Sequence, residues 1–505
     1  MAIINSILSW WIKKRLHQID LFLKYPHEVQ QDWLTRLIQT SIGTEWGRKY
    51  GYGSINSVED FKKNVPISNY DALKPYIMRI MQGEQNILWA SEIKNFSKSS
   101  GTTADKSKFI PVSNEALEEC HYKGGKDMLS VYCNLYPNTQ IFSGKSLALG
   151  GSHVINSYNP DSIYGDISAI LLEHLPYWAE FNRIPDRHIA LLDKWETKIE
   201  RMAEAAIKEN VTNLSGVPTW IIVLSKKILE QTGKQHLLEV WPNLELYIHG
   251  AVNFNPYRSQ FRKLIPSDHF HYLETYNASE GFFGIQDQKN TDEMLLMLDY
   301  GIYYEFMPME EYGKDHPQTL TLKEVELGKS YAMVISTNAG LWRYIIGDTI
   351  KFTSIHPYRI KITGRTKLYI NAFGEEVMID NTDTAIQTAC DKCNAMIKDY
   401  TVAPRYFEGQ QSGAHEWIIE FEQAPSDLNY FTNVLDNALK SLNSDYEAKR
   451  YKDMALSLPI IHAARNGTFY QWMKQKQKLG GQHKVPRLSN DRKNIEELLA
   501  IKNGS

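Results

Sequence analysis

One short stretch combines a glycine with hydroxyl residues on both sides: Ser99, Ser100, Gly101, Thr102 and Thr103. Hydroxyl and backbone N–H groups donate hydrogen bonds to phosphate oxygens, and glycine lets the backbone approach a ligand closely. A lysine, Lys108, follows and adds positive charge. The same composition is common in polar surface turns, and the nucleotide loop G-x-x-x-x-G-K-[ST] is absent. The stretch therefore indicates either a phosphate-binding loop or an ordinary turn.

A second candidate is the acidic turn that runs from Tyr276 to Gly281 and contains Ser279 and Glu280. A single carboxylate beside small residues suits Mg²⁺, which keeps most of its waters and is held by substrate phosphates. The ring of Tyr276 offers a flat face for a nucleotide base. The alternatives are that Glu280 is a surface turn residue and that Tyr276 is a core aromatic.

Two charged residues, Asp348 and Arg365, each follow a glycine close to a predicted strand. Asp348 could accept two hydrogen bonds from a ribose diol, as the acidic residue of dinucleotide folds does, or it could lie in an ordinary turn. Arg365 could bind ribose or phosphate with its forked guanidinium, or it could be a solvated basic residue. Both residues are therefore candidates for nucleotide contacts.

A lysine close to the C-terminus, Lys484, follows the pair Gly480-Gly481 and so lies in a predicted loop. A lysine that enters a closed site can neutralise the charge that develops on a phosphate group. Most lysines near a C-terminus are only solvated, which is the alternative here. We expect His249 and His271, at the ends of predicted strands, to be packed residues rather than catalytic bases.

The elements that must position these residues alternate between strands and helices. Apolar runs predict strands on both sides of the glycine-hydroxyl loop and further buried strands over 211–219, 244–249 and 270–276. Polar loops follow the carboxyl ends of these strands, where open α/β sheets bind ligands. One long amphipathic helix is predicted over 187–210, and antiparallel strands are predicted over 294–337. The predicted fold class is therefore α/β.

The pattern changes near residue 380, where a helix over 382–398 is followed by strand, helix, strand and helix. Such an order is typical of a small α+β unit. We place the boundary near Gly364-Arg365, so that residues 1–364 form a large N-terminal domain and residues 365–505 form a smaller C-terminal domain. A chain of 505 residues is long enough for more than one domain.

The overall composition excludes several classes of function. A net charge of -3 gives no case for nucleic-acid binding. Four cysteines are too few for a disulfide scaffold, so we expect a reducing compartment, the cytoplasm. The spacing of Cys390 and Cys393 suits a metal or redox pair, but no second Cys or His pair accompanies them. No apolar run is long enough to span a bilayer, and no secretory signal is evident. Apolar residues recur at helical spacing over 4–23, and this helix face is predicted to dock on the protein itself.

Taken together, these stretches resemble the ordered motifs of the adenylate-forming enzymes. The segment 99–103 with Lys108 resembles their phosphate loop, and 276–280 resembles their aromatic and magnesium motif. Gly347-Asp348 resembles their ribose motif, and Gly364-Arg365 resembles the hinge before their mobile C-terminal domain. Two further segments resemble their acid-pocket and nucleotide backbone segments: Gly216 to Thr219, and His249 with Gly250 and Ala251.

Within that superfamily the chain is most similar to the Gretchen Hagen acyl-acid amido synthetases. The matches specific to that family lie at 65–71, 241–244, 340–344, 466–469 and 484–487, and the resemblance runs from about residue 60 to residue 490.

Two positions depart from the family pattern. The arginine that the family carries before its glycine-aspartate pair is Ile345 here, and Arg343 is the only arginine left in that segment. At the hinge, the superfamily's aspartate and a following lysine are Leu368 and Asn371.

The resemblance implies a fold with mixed sheets and helices in the large domain and a mobile α+β C-terminal domain. It implies ATP and Mg²⁺ as cofactors, with Glu280 as the metal ligand and Lys484 approaching the α-phosphate on domain closure. It also implies a set of nucleotide-binding residues: Ser99, Ser100, Gly101, Thr102, Thr103, Lys108, Gly250, Ala251, Tyr276, Ser279, Asp348 and Arg365.

The activity implied is adenylation of a carboxylic acid followed by transfer of the acyl group to an amine, for which an amino acid is the expected source. Three alternatives remain open. A CoA ligase would share the first half-reaction, and an acyl-transferring synthetase would pass the acyl group to a Cys or Ser, for which Cys120 and Cys133 are the nearby thiols. A non-catalytic small-molecule binder would have lost the phosphate-loop, magnesium or lysine positions, and all three are present. The expected partners are small-molecule acids and amino acids.

Overall fold

The computed structural model describes Ile12 and residues 14–503 apart from 101–106, 176–179, 181, 251–253, 255–256, 367–368, 376, 408–411 and 477–485. The helices within these ranges are α1 (Leu16–Lys24), α2 (Pro26–Ser41), α3 (Glu45–Lys49), α4 (Val58–Asn64), α5 (Tyr70–Met81), α6 (Lys123–Leu135), α7 (Ile167–Glu173), α8 (Arg187–Ala190), α9 (Trp195–Ala206), α10 (Pro218–Thr232), α11 (Arg258–Leu264), α12 (Ile379–Cys393), α13 (Leu428–Leu442), α14 (Ser444–Arg450), α15 (Thr468–Gln475) and α16 (Lys493–Asn503). A π-helical segment, Ala116–Tyr122, leads directly into α6.

The strands are β1 (Asn95–Ser100), β2 (Ser107–Val112), β3 (Lys145–Leu149), β4 (His153–Ile155), β5 (Ile163–Gly165), β6 (Arg183–Ile184), β7 (Val211–Gly216), β8 (Leu246–His249), β9 (His271–Ala278), β10 (Gly281–Ile285), β11 (Met294–Leu296), β12 (Ile302–Pro308), β13 (Ser330–Thr337), β14 (Tyr344–Ile355), β15 (Tyr358–Arg365), β16 (Tyr369–Ile370), β17 (Val377–Met378), β18 (Met396–Arg405), β19 (Ala414–Gln423) and β20 (Ile460–Ala464).

The largest sheet has eleven strands in the order β12-β13-β14-β15-β11-β10-β9-β8-β7-β3-β6. Its β9-β8-β7-β3-β6 half is parallel, and its β12-to-β10 half is antiparallel. Strand β9 belongs to both halves, because it pairs with β8 in parallel and with β10 in a tight hairpin. The residues that follow the carboxyl end of β9 therefore lie where the sheet changes direction, and Glu280 is one of them.

A separate four-stranded sheet, in the order β2-β1-β5-β4, carries the glycine-hydroxyl loop between β1 and β2. The hairpin is antiparallel, with Ser99 opposite Lys108 and Ser100 opposite Ser107. The prediction of a strand, this loop, a second strand and a helix is confirmed for the described residues.

Several helix ends follow from capping residues in the sequence. The side chain of Asn69 accepts a hydrogen bond from Ala72 N at 3.0 Å and so caps α5, which begins at Tyr70. Asp427 caps α13 through Asn429 N at 2.8 Å. Helix α2 begins at Pro26, a residue type that is favoured at the first helical position.

Two large apolar clusters form the core. The first packs the N-terminal helices, with side chains such as Phe61 and Leu73, against Trp342 and Tyr304 of the antiparallel half of the sheet. The second is shared by the parallel half and the C-terminal part of the chain, for example through Tyr247, Phe373 and Trp417. Apolar burial of this extent is the main favourable term that holds the parts together.

The C-terminal part contains the sheet β18-β19-β20 with α12 and α13, and it contacts the larger part directly. The hydroxyl of Tyr257 donates a hydrogen bond to the carbonyl of Ala372, and Gln260 Nε2 donates to Phe407 O at 3.0 Å. Residues of the C-terminal part therefore close one side of the cleft that runs along the parallel half of the sheet. None of the helices in the described ranges combines the length and apolar character that a bilayer crossing requires.

Two element predictions are wrong. The single helix over 187–210 is two helices, because Lys194 takes an extended backbone conformation and α9 restarts at Trp195. The helix over 382–398 ends at Cys393, where Asn394 adopts a left-handed conformation with a φ of 49°. The chain then enters β18, which pairs along its length with β19. Pairing with a distant strand overrode the local helical pattern.

Candidate functional site

A cleft of about 2090 Å³ runs along the parallel half of the large sheet and past the carboxyl ends of its strands. Leu149, Gly216 and Gly250 line it at or just after the ends of β3, β7 and β8. Residues of the C-terminal part, such as Tyr406 and Asp491, line another wall. Ligand sites at the carboxyl ends of strands are typical of open α/β sheets.

The β1–β2 hairpin brings Ser99 and Lys108 to this cleft. Of the predicted loop, Gly101, Thr102 and Thr103 lie outside the described residues, and Ser100 is described through its backbone pairing. Their contacts with phosphate therefore stay a prediction.

A residue that sequence reasoning missed, Ser97, ties the hairpin to the acidic turn. Its hydroxyl lies 2.8 Å from the hydroxyl of Ser279. Ser97 and Ser99 are two residues apart in β1 and therefore lie on the same face of the strand. The two-residue periodicity of a strand could thus have predicted that Ser97 lies near the site. The phosphate-loop hairpin and the turn that carries Glu280 are thereby fixed to each other.

Three predicted residues form one continuous chain of polar contacts. The hydroxyl of Tyr276 donates to Asp348 Oδ2 at 2.6 Å, and Arg365 Nε lies 2.8 Å from Asp348 Oδ1. Asp348 and Arg365 are direct partners across β14 and β15. Both oxygens of the carboxylate are thus oriented by neighbouring side chains.

The environment of Asp348 and Tyr276 differs from the sequence expectation in two ways. Asp348 does not follow a strand or lie in a turn, because β14 continues through it to Ile355. Tyr276 is only 4% exposed, and its ring packs against Phe283 at 4.9 Å between centroids. It borders the cleft with little accessible surface, so that base stacking on its ring stays a prediction.

Glu280 lies in the two-residue connection between β9 and β10, and the residue is half-buried. Burial raises the pKa of Glu280 to about 7, and the charges of Lys108 and Arg365 oppose this rise. Tyr344, fully buried, stands beside it, and burial followed by the charge of Glu280 raises the pKa of the Tyr344 phenol. A half-buried carboxylate with two cations nearby is suited to bind a further cation together with anionic groups.

Gly250 ends β8 against the backbone of β9. A Cβ atom at this position would lie 2.5 Å from Thr275 O, so only glycine allows the two strands to approach this closely. Its neighbour Ala251, also predicted to bind nucleotide, lies outside the described residues.

The two histidines are packed, as the sequence predicted. His249 stacks on Phe254 at 4.1 Å between centroids, and burial followed by the charge of Arg258 lowers its pKa to about 3. His271 stacks on Tyr136 at 3.6 Å between centroids.

Arg343, the only arginine left in the segment before Gly347, is held away from this site. Its guanidinium forms hydrogen bonds of 2.9 Å to both carboxylate oxygens of Glu305 and binds the backbone carbonyls of Lys62 and Val65. These contacts occupy the side chain in the core, so it does not replace the family arginine that is missing at Ile345. The predicted lysine, Lys484, and the hinge residue Leu368 lie outside the described residues.

The fold is shared with ligases that act on carboxylic acids. The fold matches the solved structure of the GH3.15 acyl acid amido synthetase with a TM-score of 0.59 at 18% identity, and the match covers 94% of this chain and 93% of that one. It also matches a solved 2-hydroxyisobutyryl-CoA ligase with a TM-score of 0.58 at 12% identity, covering 94% of this chain and 92% of that one. The predicted architecture, a large α/β domain followed by a smaller α+β domain, is confirmed as this fold.

The chain belongs to the GH3 family. The GH3 family N-terminal domain matches residues 15–270, the central domain matches 295–365 and the C-terminal domain matches 380–493. The family resemblance predicted from the motifs is therefore confirmed.

Its curated relatives are named as amide-forming ligases. An indole-3-acetic acid-amido synthetase GH3.3 of Arabidopsis thaliana is 24% identical over 94% of this chain and 91% of its own length. A jasmonoyl–L-amino acid synthetase GH3.5 of Oryza sativa subsp. japonica is 24% identical over 95% of both chains. The 4-substituted benzoates-glutamate ligase GH3.12 of Arabidopsis thaliana is 23% identical over 93% of this chain and 94% of its own.

Proposed function

We propose that the protein is an acyl-acid amido synthetase, which adenylates a carboxylic acid with ATP and then transfers the acyl group to the amino group of an amino acid. The observation that carries the proposal is the convergence of Tyr276, Asp348, Arg365 and Glu280 at one place in the cleft, beside the hairpin of the glycine-hydroxyl loop. Membership of the GH3 family supports the same activity.

The reaction proceeds in two steps. A carboxylate oxygen attacks the α-phosphorus of ATP, and the bond between the α-phosphorus and the oxygen that bridges to the β-phosphate breaks. Pyrophosphate departs, and an acyl-adenylate is formed. The amine nitrogen then attacks the acyl carbon, the bond to the phosphate oxygen breaks, and AMP leaves as the amine loses a proton. Positioning and neutralisation of phosphate charge are the protein's contributions to such chemistry.

The polar chain of Tyr276, Asp348 and Arg365 is proposed to hold the ribose. Asp348 has one lone pair on each oxygen beyond those used by Tyr276 and Arg365, and a ribose diol would donate to these. Gly250 and Ala251 are proposed to bind the base through the backbone, a role that rests on the family resemblance of this segment. Tyr276 is proposed to form part of the same base pocket.

Magnesium is proposed to bind at Glu280. Within the described ranges no three His, Cys, Asp or Glu side chains gather into a metal site. One half-buried carboxylate that lines the cleft fits an ion that is held otherwise by water and by substrate phosphates. Bound Mg²⁺ would neutralise charge on the departing pyrophosphate.

The remaining phosphate contacts are assigned from the sequence motifs. Ser99, Ser100, Gly101, Thr102, Thr103 and Lys108 are proposed to hold the phosphate groups, with Ser279 at the adjoining turn. Lys484 is proposed to approach the α-phosphate from the C-terminal domain, 365–505, when the two domains close.

The fold likeness to a CoA ligase makes thioester formation the second candidate activity. Transfer to a cysteine of the chain itself is not supported. Cys120 is 2% exposed, and burial raises the pKa of its thiol to about 12, so it has almost no thiolate at neutral pH. Cys133 is fully buried as well.

The cytoplasm is the proposed compartment. All four cysteines are free thiols in the structure, which fits a reducing environment in which ATP is available.

The decisive experiment is ATP–pyrophosphate exchange over a broad panel of carboxylic acids, followed by mass spectrometry of products formed with pooled amino acids or with CoA. Exchange with one or more acids and an amide product are expected. Absence of exchange with every acid would contradict adenylation, and a thioester without amide would establish the CoA ligase instead.

A further inference from the structure

A buried lysine of the C-terminal part, Lys449 in α14, faces the cleft. Its side chain lines the cleft although the residue is only 5% exposed. The ammonium lies 4.1 Å from the centre of the Trp220 ring in α10, and a Cβ atom placed on Gly374 would lie 3.5 Å from it. Lys449 therefore stands at the contact between the two parts of the chain.

This ammonium lacks an anionic partner. Across the described ranges the ammonium makes no ion pair or hydrogen bond, and it contacts the face of the Trp220 ring. The nearest acidic groups act on it only through space: Asp445, Asp166 and Glu375. The carboxylate of Glu375 is already used by His415 and by the backbone N–H groups of the loop at 372–373. A buried cation without a partner is costly unless a bound anion compensates its charge.

Two further residues that line the cleft act electrostatically on Lys449 and so lie on its side of the cleft: Asp166 and Asp445. Asp166 is fixed in place, because its Oδ2 accepts a hydrogen bond from Ser152 N at 3.1 Å and Gly151 packs directly against it. Lys198, which is 2% exposed, donates to the carbonyl of Gly151 at 2.6 Å and so fixes the loop itself. The wall thus combines the buried cation Lys449 with the carboxylates of Asp166 and Asp445, and a second buried cation, Lys198, acts electrostatically on Asp166.

The two carboxylates near Lys449 determine which class of anionic ligand can bind to it. Two carboxylates repel a polyphosphate, but they attract the ammonium group of a zwitterion whose carboxylate reaches the lysine. The wall lies apart from the predicted ribose and Mg²⁺ contacts at Tyr276 and Glu280, whereas Gly250, a predicted base contact, follows β8, the strand next to β7. Trp220 follows β7, which lies two strands from β9 and therefore about 10 Å from it.

We propose that Lys449 binds the carboxylate of the acceptor amino acid and that Asp166 and Asp445 attract its amino group. This inference rests on the proposed function, since it assigns the acceptor side of the same cleft. Lys449 is supplied by the C-terminal part, so the acceptor site is complete only while that part contacts α10.

The test compares L-amino acids with their α-carboxamides as acceptors, with saturating acid and ATP. The enzyme should prefer the free amino acids, and Lys449→Met should lower that preference about 10- to 100-fold, the effect of losing one charge-assisted hydrogen bond. Lys449→Arg, which keeps the charge, should keep part of the preference. The matched control is Lys474→Met on the exposed face of α15. Thermal denaturation checks that each variant is folded.

Pyrophosphate exchange by the same variants separates this inference from the proposed function. The inference is supported if Lys449→Met still exchanges pyrophosphate but no longer prefers free amino acids as acceptors. An unchanged preference overturns it, and so does loss of exchange, which would place Lys449 on the nucleotide phosphates. If the unmodified enzyme exchanges pyrophosphate but forms no amide with any amino acid, the inference fails while adenylation stands. Absence of exchange in the unmodified enzyme overturns both.

Discussion

The hydroxyl of Tyr276 donates a 2.6 Å hydrogen bond to Oδ2 of Asp348, although the two residues are 72 positions apart in the sequence. The other carboxylate oxygen is held by Arg365 at 2.8 Å. The carboxylate is therefore oriented before any ligand arrives, and little side-chain entropy remains to be lost on binding.

This arrangement gives a prediction for Tyr276→Phe, which removes the hydroxyl and keeps the ring. The KM for ATP in pyrophosphate exchange should rise about 3- to 10-fold, because Asp348 loses one of the two contacts that orient it. The matched control is Tyr430→Phe, an exposed tyrosine on α13. If ATP binding is equally strong in Tyr276→Phe, the hydroxyl plays no part in holding the ribose-binding carboxylate.

Glu280→Gln keeps the shape of the side chain and removes its negative charge. Adenylate formation should fall by about 100-fold or more, since the proposed Mg²⁺ would lose its carboxylate ligand. Exchange measured over a range of Mg²⁺ concentrations should show that the apparent affinity for the metal is lower. Glu326→Gln, at an exposed surface pair with Lys329, provides the control. Equal rates for Glu280→Gln and the unmodified enzyme would remove Glu280 from the metal site.

Lys484→Ala tests the lysine assigned from the C-terminal motif. Pyrophosphate exchange should fall by about 100-fold or more, because the positive charge that stabilises the α-phosphate in the transition state is lost. Lys474→Ala, also in the C-terminal part but exposed on α15, should behave like the unmodified enzyme. A normal exchange rate in Lys484→Ala would show that another group serves the α-phosphate.

Arg343→Met should destabilise the fold without changing the KM for ATP. The substitution leaves the carboxylate of Glu305 buried and unpaired, which costs about 3–5 kcal/mol in the free energy of unfolding. Denaturant unfolding should show this loss, and the double variant with Glu305→Met should recover part of it. A raised KM for ATP in folded Arg343→Met would instead place this arginine at the nucleotide.

The pH dependence of stability should reveal Glu274 in β9. Burial, followed by the charge of Asp292, raises its pKa from 4.5 to about 7, while Arg258 and Lys361 oppose the rise. Between pH 4.5 and 7 the folded state binds this proton more tightly than the unfolded state does. The free energy of unfolding therefore falls as the pH rises through this window, by about 1–3 kcal/mol.

In Glu274→Gln the fall in stability between pH 5 and pH 8 should be smaller. It should not vanish, because burial also raises the pKa of Glu280 to about 7 and that residue contributes in the same direction. Unfolding measured at the two pH values checks the prediction, with Glu326→Gln as the exposed control. Identical slopes for Glu274→Gln and the unmodified protein would contradict a raised pKa at Glu274.

Features that depend on neighbouring residues could be predicted from the sequence. The cap at Asn69, the helix that begins at Pro26 and the strand over 211–216 each follow from local residue types. The prediction of one helix over 187–210 is wrong because Lys194 takes an extended conformation before α9 begins at Trp195. Within α9, Lys198 donates to the carbonyls of Gly150 and Gly151, contacts with a distant loop that no local pattern specifies.

The sequence by itself determined the family, the α/β class and the order of the motifs, because each motif is a short run of residue types. Only the tertiary structure decided which of these residues touch. The pairing of Asp348 with Arg365 depends on the register between β14 and β15, and the contact of Ser97 with Ser279 joins two sheets. The meeting of Lys449 with Trp220 requires the two parts of the chain to pack together. Such contacts join residues far apart in the chain, and no local pattern specifies them.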